Sequence, residues 1–248
     1  MHTQKFTDPS ELPPVTIIRR KRQRTMRIRV RKDGIIVSGP STVSKKRLLG
    51  FVQEKSGWIY KNWSRQLQRR QMLDELRDRY RGTLLLRGDR KPVRVVPVHK
   101  LRKPVLVENG QDIIYRHESG NGSSQDRCGP FPSPELVMAF YRNTAVEEIP
   151  DRVAYWSNRL PFQPSRISIR NQKTKWGSCS ARGTISLNWR LIKCPAAIKD
   201  YIIIHELCHL RHFNHSRDFW RCVETFYPDV LAAKKWIKKN SDEIFSDF

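Results

Sequence analysis

Apolar and basic positions alternate through MRIRVRKDGIIVSGP (26–40) on both sides of the turn dipeptide Asp33-Gly34. A period of two around such a dipeptide predicts a β-hairpin. From Ser41 to about Tyr80 the period changes. Leu48, Phe51, Val52, Trp58, Ile59, Trp63 and Leu67 recur at roughly helical spacing in a mostly basic remainder, which predicts a long helical arm interrupted near Gly57. TLLLRG, PVRVVPV, KPVLVE and DIIYRH follow as short apolar runs separated by Gly, Pro and Asn, and read as strands. SGNGSSQDRCGPFPSP (119–134), dense in Gly, Ser and Pro, reads as a flexible connector.

Beyond the connector, Ser133 and Pro134 have the character of a helix N-cap and first helical residue, so 134–160 reads as a helix bent near Pro150. RISIRN and TISLNWRLI alternate again and predict a second hairpin over 166–192, with Gly183 in its turn. Pro195 then opens a helix through AAIKDYIIIHELCHLRH, anchored under that sheet by Ile198, Tyr201, Ile202 and Leu210. The fold class expected is α+β: a basic, β-rich region with a helical insertion over 1–118, the connector at 119–134, and a catalytic region over 135–248.

Charge changes the picture in one half only. The 248 residues carry a formal net charge of +24, of which residues 1–130 hold 30 basic and 12 acidic residues (+18) and residues 131–248 hold 18 and 12 (+6). A field of that sign attracts phosphates or acidic protein surfaces. Arg27, Arg29 and Arg31 alternate along the first hairpin and are candidates for holding nucleic acid without sequence preference, with Trp58, Tyr60 and Trp63 near Lys55 and Lys61 as stacking platforms. MHTQKFTDPSELPPV lacks both a cationic leader and an apolar core, and no stretch approaches the ~18 apolar residues of a membrane span, so a soluble cytoplasmic protein is expected. Five cysteines (Cys128, Cys179, Cys194, Cys208 and Cys222) form no C-x-x-C pair, which speaks against a disulfide framework or thiolate zinc ribbon.

The segment HELCHLRHFNH (205–215) carries the candidate chemistry. His205 and His209 stand four apart, one turn above the other on a helix, where two imidazoles converge on one ion. In the H-E-x-x-H pattern the histidines bind zinc, and Glu206 takes a proton from water activated by it. The surroundings are hydrophobic, so two imidazoles and a carboxylate there are costly without a cation. For the third ligand His215 is favoured, reached if Asn214 ends the helix in a left-handed conformation. His212 and a carboxylate such as Glu224 are the alternatives. Arg170, Lys175, Trp176, Gly177, Ser178 and Tyr201 are candidates for lining a substrate cleft or stabilising an oxyanion, Gly177 marking either a tight turn or a close backbone approach.

RNQKTKWGSCS (170–180), LNWRLIKCP (187–195), YIIIHELCHL (201–210) and NHSRDFW (214–220), with MRIRVRKDGIIVSGP and GWIYKNW nearer the start, resemble the YgjP-like metallopeptidase family, itself related to SprT-like zinc proteases. The resemblance implies a compact zincin-like fold in which a twisted sheet packs on the helix carrying HELCH and an edge strand borders the cleft. It also implies Zn2+ held by His205, His209 and His215, Glu206 as general base, and a protein or peptide substrate. Two other readings stand beside it: a basic nucleic-acid-binding protein with a structural zinc, and a zinc hydrolase of a non-peptide amide. Glu206 argues against the first of these, because a structural site closes all four positions with ligands.

Overall fold

The computed structural model describes residues 13–31, 33–118 and 131–246. Cys128 and most of the stretch read as a connector lie outside them. The chain divides into two compact units, Met1–Leu76 and Arg77–Phe248, each with its own cluster of buried apolar side chains.

In the first unit, strands β1 (Val15–Arg20), β2 (Arg27–Arg31) and β3 (Gly34–Pro40) form a sheet in the order β1-β3-β2. β2 and β3 make the expected hairpin, and β1 lies parallel to β3. The helical arm is two helices, α1 (Lys45–Glu54) and α2 (Ser56–Arg79), and the break falls at Lys55. Ser44 starts α1 by accepting a hydrogen bond from the Arg47 amide at 3.1 Å, which satisfies one of the orphan donors of a helix start. Ile35, Val37, Leu48, Val52 and Ile59 form the core of this unit.

The second unit begins with β4 (Thr83–Leu86), β5 (Asp89–Val98), β6 (Val105–Asn109) and β7 (Asp112–Glu118), in the order β4-β5-β7-β6 with β5 and β7 parallel. These are the four strands read in the sequence with the basic half; they belong with the residues that follow them. Helix α3 (Pro134–Ser157) has Ser133 as its cap and runs without interruption through Pro150. Its buried residues Val137, Tyr141, Ala145, Ile149 and Val153 recur every four positions, a single stripe laid on the core.

The pairing that follows differs from the expected second hairpin. β8 (Arg166–Arg170) and β10 (Thr184–Asn188) are parallel, and β9 (Gly177–Cys179) adds antiparallel to the other side of β10, giving the order β8-β10-β9. A short 3-10 turn (Trp189–Lys193) leads to α4 (Ala196–Cys208), then α5 (Arg217–Phe226) and α6 (Val230–Phe245). Ten residues of α4, from Ile198 to Cys208, are buried, because α3, α5, α6, β9 and β10 all pack around it. A helix enclosed on every side needs no polar face, which is why YIII precedes HELC. The buried Asp200 on α4 is paired in bidentate fashion with Arg152 of α3. Among the described residues, no helix is long and apolar enough to cross a membrane.

Candidate active site

His205 lies in the last turn of α4 and His209 is its C-cap residue, so the helix ends within the motif. The chain then turns through 210–215 and reaches the cap of α5, Ser216, which accepts from the Phe219 amide at 3.3 Å. Asn214 is not in the left-handed region: among the described non-glycine residues only Arg87 and Lys100 have positive φ. The bend comes instead from hydrogen bonds of the 210, 211 and 212 amides back to the carbonyls of Leu207 and Cys208. It brings His215 back to the helix, with the candidate ligand atoms of His205, His209 and His215 all within 4.8 Å of one another.

The three imidazoles suit a divalent cation on several counts. His215 Nε2 and His205 Nε2 are 3.1 Å apart, close to the roughly 3.3 Å that separates two nitrogens at ~2.0–2.1 Å from a tetrahedral zinc. His209 Nδ1 is 2.9 Å from the His212 carbonyl, which takes up that nitrogen as a donor and leaves Nε2 with its lone pair free. Burial, aided by His209, His215 and Lys234, pushes the His205 pKa down to about 3, so this ring is neutral and able to ligate. His205 Nδ1 and Glu206 Oε2 are buried and have no hydrogen-bond partner. Glu224 is exposed on α5 and does not join the cluster.

Aromatic rings hold the cluster. Phe219, fully buried, stacks on His209 at 4.4 Å between centroids and meets His205 and His215 edge-on at 4.9 Å each. Trp220 stacks on His215 at 5.6 Å. Neither ring was singled out in the sequence for this role, since DFW alone carries no more than the hydrophobic pattern of α5.

Glu206 sits on the buried face of α4, next to β9. A Cβ on Gly177 would lie 2.7 Å from both Cγ and Oε1 of Glu206, so Gly177 lets the strand approach the carboxylate closely. Burial pushes the Glu206 pKa up to about 7, against the opposing charge of Lys175. The loop before β9 is held by Asn188, itself buried, whose Nδ2 donates to the carbonyls of Gln172 at 2.7 Å and Lys175 at 2.8 Å. Its own amide donates to the Trp176 carbonyl at 2.8 Å.

A cavity of about 370 Å³ opens here, walled by Lys175, Trp176 and Gly177, by Tyr201, Ile202, His205 and Glu206 of α4, and by Lys234, Ile237 and Lys238 of α6. Of the cleft candidates read in the sequence, Lys175, Trp176, Gly177 and Tyr201 line it. Ser178 and Arg170 do not: the Ser178 hydroxyl accepts from Gln172 at 3.3 Å, and Arg170 is exposed on β8, across β10 from β9. The α6 residues had no motif to mark them. Arg27, Arg29 and Arg31 lie in the first unit, all exposed on one face of β2.

A sequence model of the YgjP-like metallopeptidase domain matches residues 24–240. The chain belongs to the YgjP-like metallopeptidase family. Membership makes it a hydrolase of peptide bonds that uses a divalent metal, with proteins or peptides as substrates. The YgjP-like chain is also similar to the crystal structure of the metallopeptidase zymogen of Pyrococcus abyssi abylysin, with 30% sequence identity, 37% of this chain and 90% of that chain covered, and a TM-score of 0.33. No curated protein matches it.

Proposed function

We propose that this YgjP-like protein is a zinc-dependent peptidase of the zincin type in which His205, His209 and His215 hold Zn2+ and Glu206 is the general base. One observation carries the reading: three imidazoles converge, and one of them, His205, lines a cavity together with the buried, unpartnered carboxylate of Glu206. A bound zinc supplies Lewis acidity, polarising a carbonyl and acidifying water.

Glu206 takes a proton from the attacking water and returns it to the leaving amine, work suited to a carboxylate whose proton affinity lies near neutrality. Lys175 and a cation at the histidines both favour the ionised form needed before attack. Tyr201, whose pKa burial pushes up to about 12, keeps its phenolic proton and can donate it as a hydrogen bond to the developing oxyanion. β9 is at the sheet edge, and its outer backbone groups are free among the described strands to pair with an extended peptide. A free carboxylate beside the metal has no use in a purely structural site, and the family match favours a peptide over another amide.

The decisive variant is Glu206→Gln, nearly isosteric but unable to accept a proton. It is expected to keep zinc by elemental analysis and the wild-type circular dichroism, while peptide hydrolysis falls on the order of 100-fold or more. Undiminished cleavage would remove Glu206 from the role of base. His205→Ala, His209→Ala and His215→Ala are expected to lose zinc, and full retention by any of them strikes that residue from the ligand set.

The exposed arginines of β2 and the exposed rings of Trp58 and Tyr60 on α2 favour a further element of the reading: weak binding of nucleic acid, which would bring the peptidase to proteins associated with it.

A further inference from the structure

The cavity beside the histidines is lined by three lysines and a single carboxylate, Glu206. Two of the lysines come from α6, whose sequence KKWIKK (234–239) places four cations in six residues. Lys234, Ile237 and Lys238 share one face of the helix by their i, i+3 and i+4 spacing, and that face walls the cavity. Lys235 and Lys239 lie on another face and do not line it. The helix therefore aims a selected pair of cations at the site, rather than a uniform solvated surface.

Several other cations of this unit have carboxylate partners, among them Arg152 with Asp200, Lys199 with Glu148, and Lys91 with Glu108. Lys175, Lys234 and Lys238 have no ion pair with a carboxylate among the described residues. Lys234 Nζ is instead held 3.4 Å over the ring of Trp220, the indole stacked on His215. Its charge reaches His205, and that of Lys175 reaches Glu206. Between the lysines the walls are apolar, made by Trp176, Ile202 and Ile237. All three lysines are exposed and so partly screened, and the apolar walls between them concentrate their field toward the cavity.

We infer that this cavity receives a carboxylate of the peptide substrate, from an Asp or Glu side chain or from a free C-terminus, held by Lys175, Lys234 and Lys238. The inference rests on the peptidase reading of the site and narrows its substrate class. A Lys or Arg at the same substrate position meets like charge and is disfavoured; a neutral residue forgoes the pairing.

The full chain carrying Glu206→Gln, loaded with zinc, serves as a binder that does not cleave. Fluorescence anisotropy is measured against acetylated, amidated octapeptides in which one Glu is moved through an otherwise Ala/Gln sequence, together with the all-Gln peptide bearing either a free or an amidated C-terminus. At one or two positions Glu is expected to bind about tenfold more tightly than Gln, the scale of two to three partly screened ion pairs. If the carboxylate is terminal, the free C-terminus shows the advantage and internal Glu does not. Adding Lys234→Gln and Lys238→Gln should abolish the advantage, adding Lys238→Glu should transfer it to peptides bearing Lys, and adding Lys235→Gln and Lys239→Gln should leave it in place. Equal binding of all the peptides, or an advantage that falls only with Lys235 and Lys239, overturns the inference. Cleavage by the wild-type chain is scored separately. Hydrolysis without preference for acidic peptides overturns the carboxylate inference alone. Absence of any hydrolysis overturns the peptidase reading, and the binding comparison still decides whether the lysines hold a carboxylate.

Discussion

Gly177 carries more of the site than its size suggests. Its missing Cβ is what allows β9 to lie against Glu206, since that atom would stand 2.7 Å from the carboxylate's Cγ and Oε1. Gly177→Ala should push Glu206 out of position while leaving the three imidazoles in place. Overpacking of this kind costs about 1–3 kcal/mol, and misplacing a base by about an ångström costs on the order of 100-fold in rate. Urea denaturation, zinc content and peptide turnover measured together would show lowered stability and turnover with zinc retained; unchanged turnover would mean the carboxylate has room to spare. In the sequence, Trp176-Gly177-Ser178-Cys179 left a tight turn and a cleft wall equally open, because glycine suits both. Contact with a residue 29 positions further along the chain settles the matter as a close approach. His205, Glu206 and His209 were legible because their relation is local, a helical spacing. His215 was reached by a different bend from the one expected, as Asn214 stays out of the left-handed region.

At the scale of elements, alternation in 166–192 identified strands but not their partners. Both RISIR and TISLN have a period of two, and a strand's own pattern does not record whether its neighbour runs parallel or antiparallel. Asn188 could have hinted at the outcome: an asparagine between a strand and a 3-10 turn is a cap, and here its side chain accepts from the Arg190 amide at 3.1 Å. A second connection between elements is a charged one. Arg87, in the turn between β4 and β5, reaches Glu108 of β6 at 2.7 Å and also Glu148 of α3, while Lys91 of β5 joins Glu108 at 2.8 Å. The hydrogen bond from Arg87 foremost, then that from Lys91, lowers the Glu108 pKa from 4.5 against the effect of burial. A carboxylate with a lowered native pKa binds fewer protons folded than unfolded, so its contribution is complete above about 4.5 and is lost as pH falls through the lower native value. Glu108→Gln should therefore cost on the order of 1 kcal/mol at pH 7, discounted for the partly exposed Arg87, and the gap to wild type in urea midpoints should close as the pH is taken below 4.5. A gap that stays constant with pH would show that the ion pairs contribute nothing.

Across the whole molecule the charge is unevenly held, with +18 of the +24 on residues 1–130. The first unit displays Arg27, Arg29 and Arg31 on one exposed face, and Trp58 and Tyr60 stand about half exposed at 51% and 48%. On the proposal that this face holds nucleic acid, binding of a fluorescent single-stranded oligonucleotide should weaken steeply as salt rises, because each neutralised phosphate releases counterions. Replacing the three arginines with Gln should reduce the slope of log K against log salt by up to about three phosphate contacts. No binding at low salt would make the stripe a solvated surface.

Sequence alone determined the two periods, the cap at Ser133, the sign and location of the charge, and the i, i+4 histidine spacing of α4. These depend on residues within a few positions of one another, and short-range rules reach that far. Tertiary structure decided where β4 to β7 belong, the parallel pairing of β8 with β10, the approach of Gly177 to Glu206, and the arrival of two α6 lysines at the cavity. Each of these joins segments far apart in sequence, and the energy that joins them is burial. Burial depends on which faces the rest of the chain leaves to be covered, so it leaves no local signature to read.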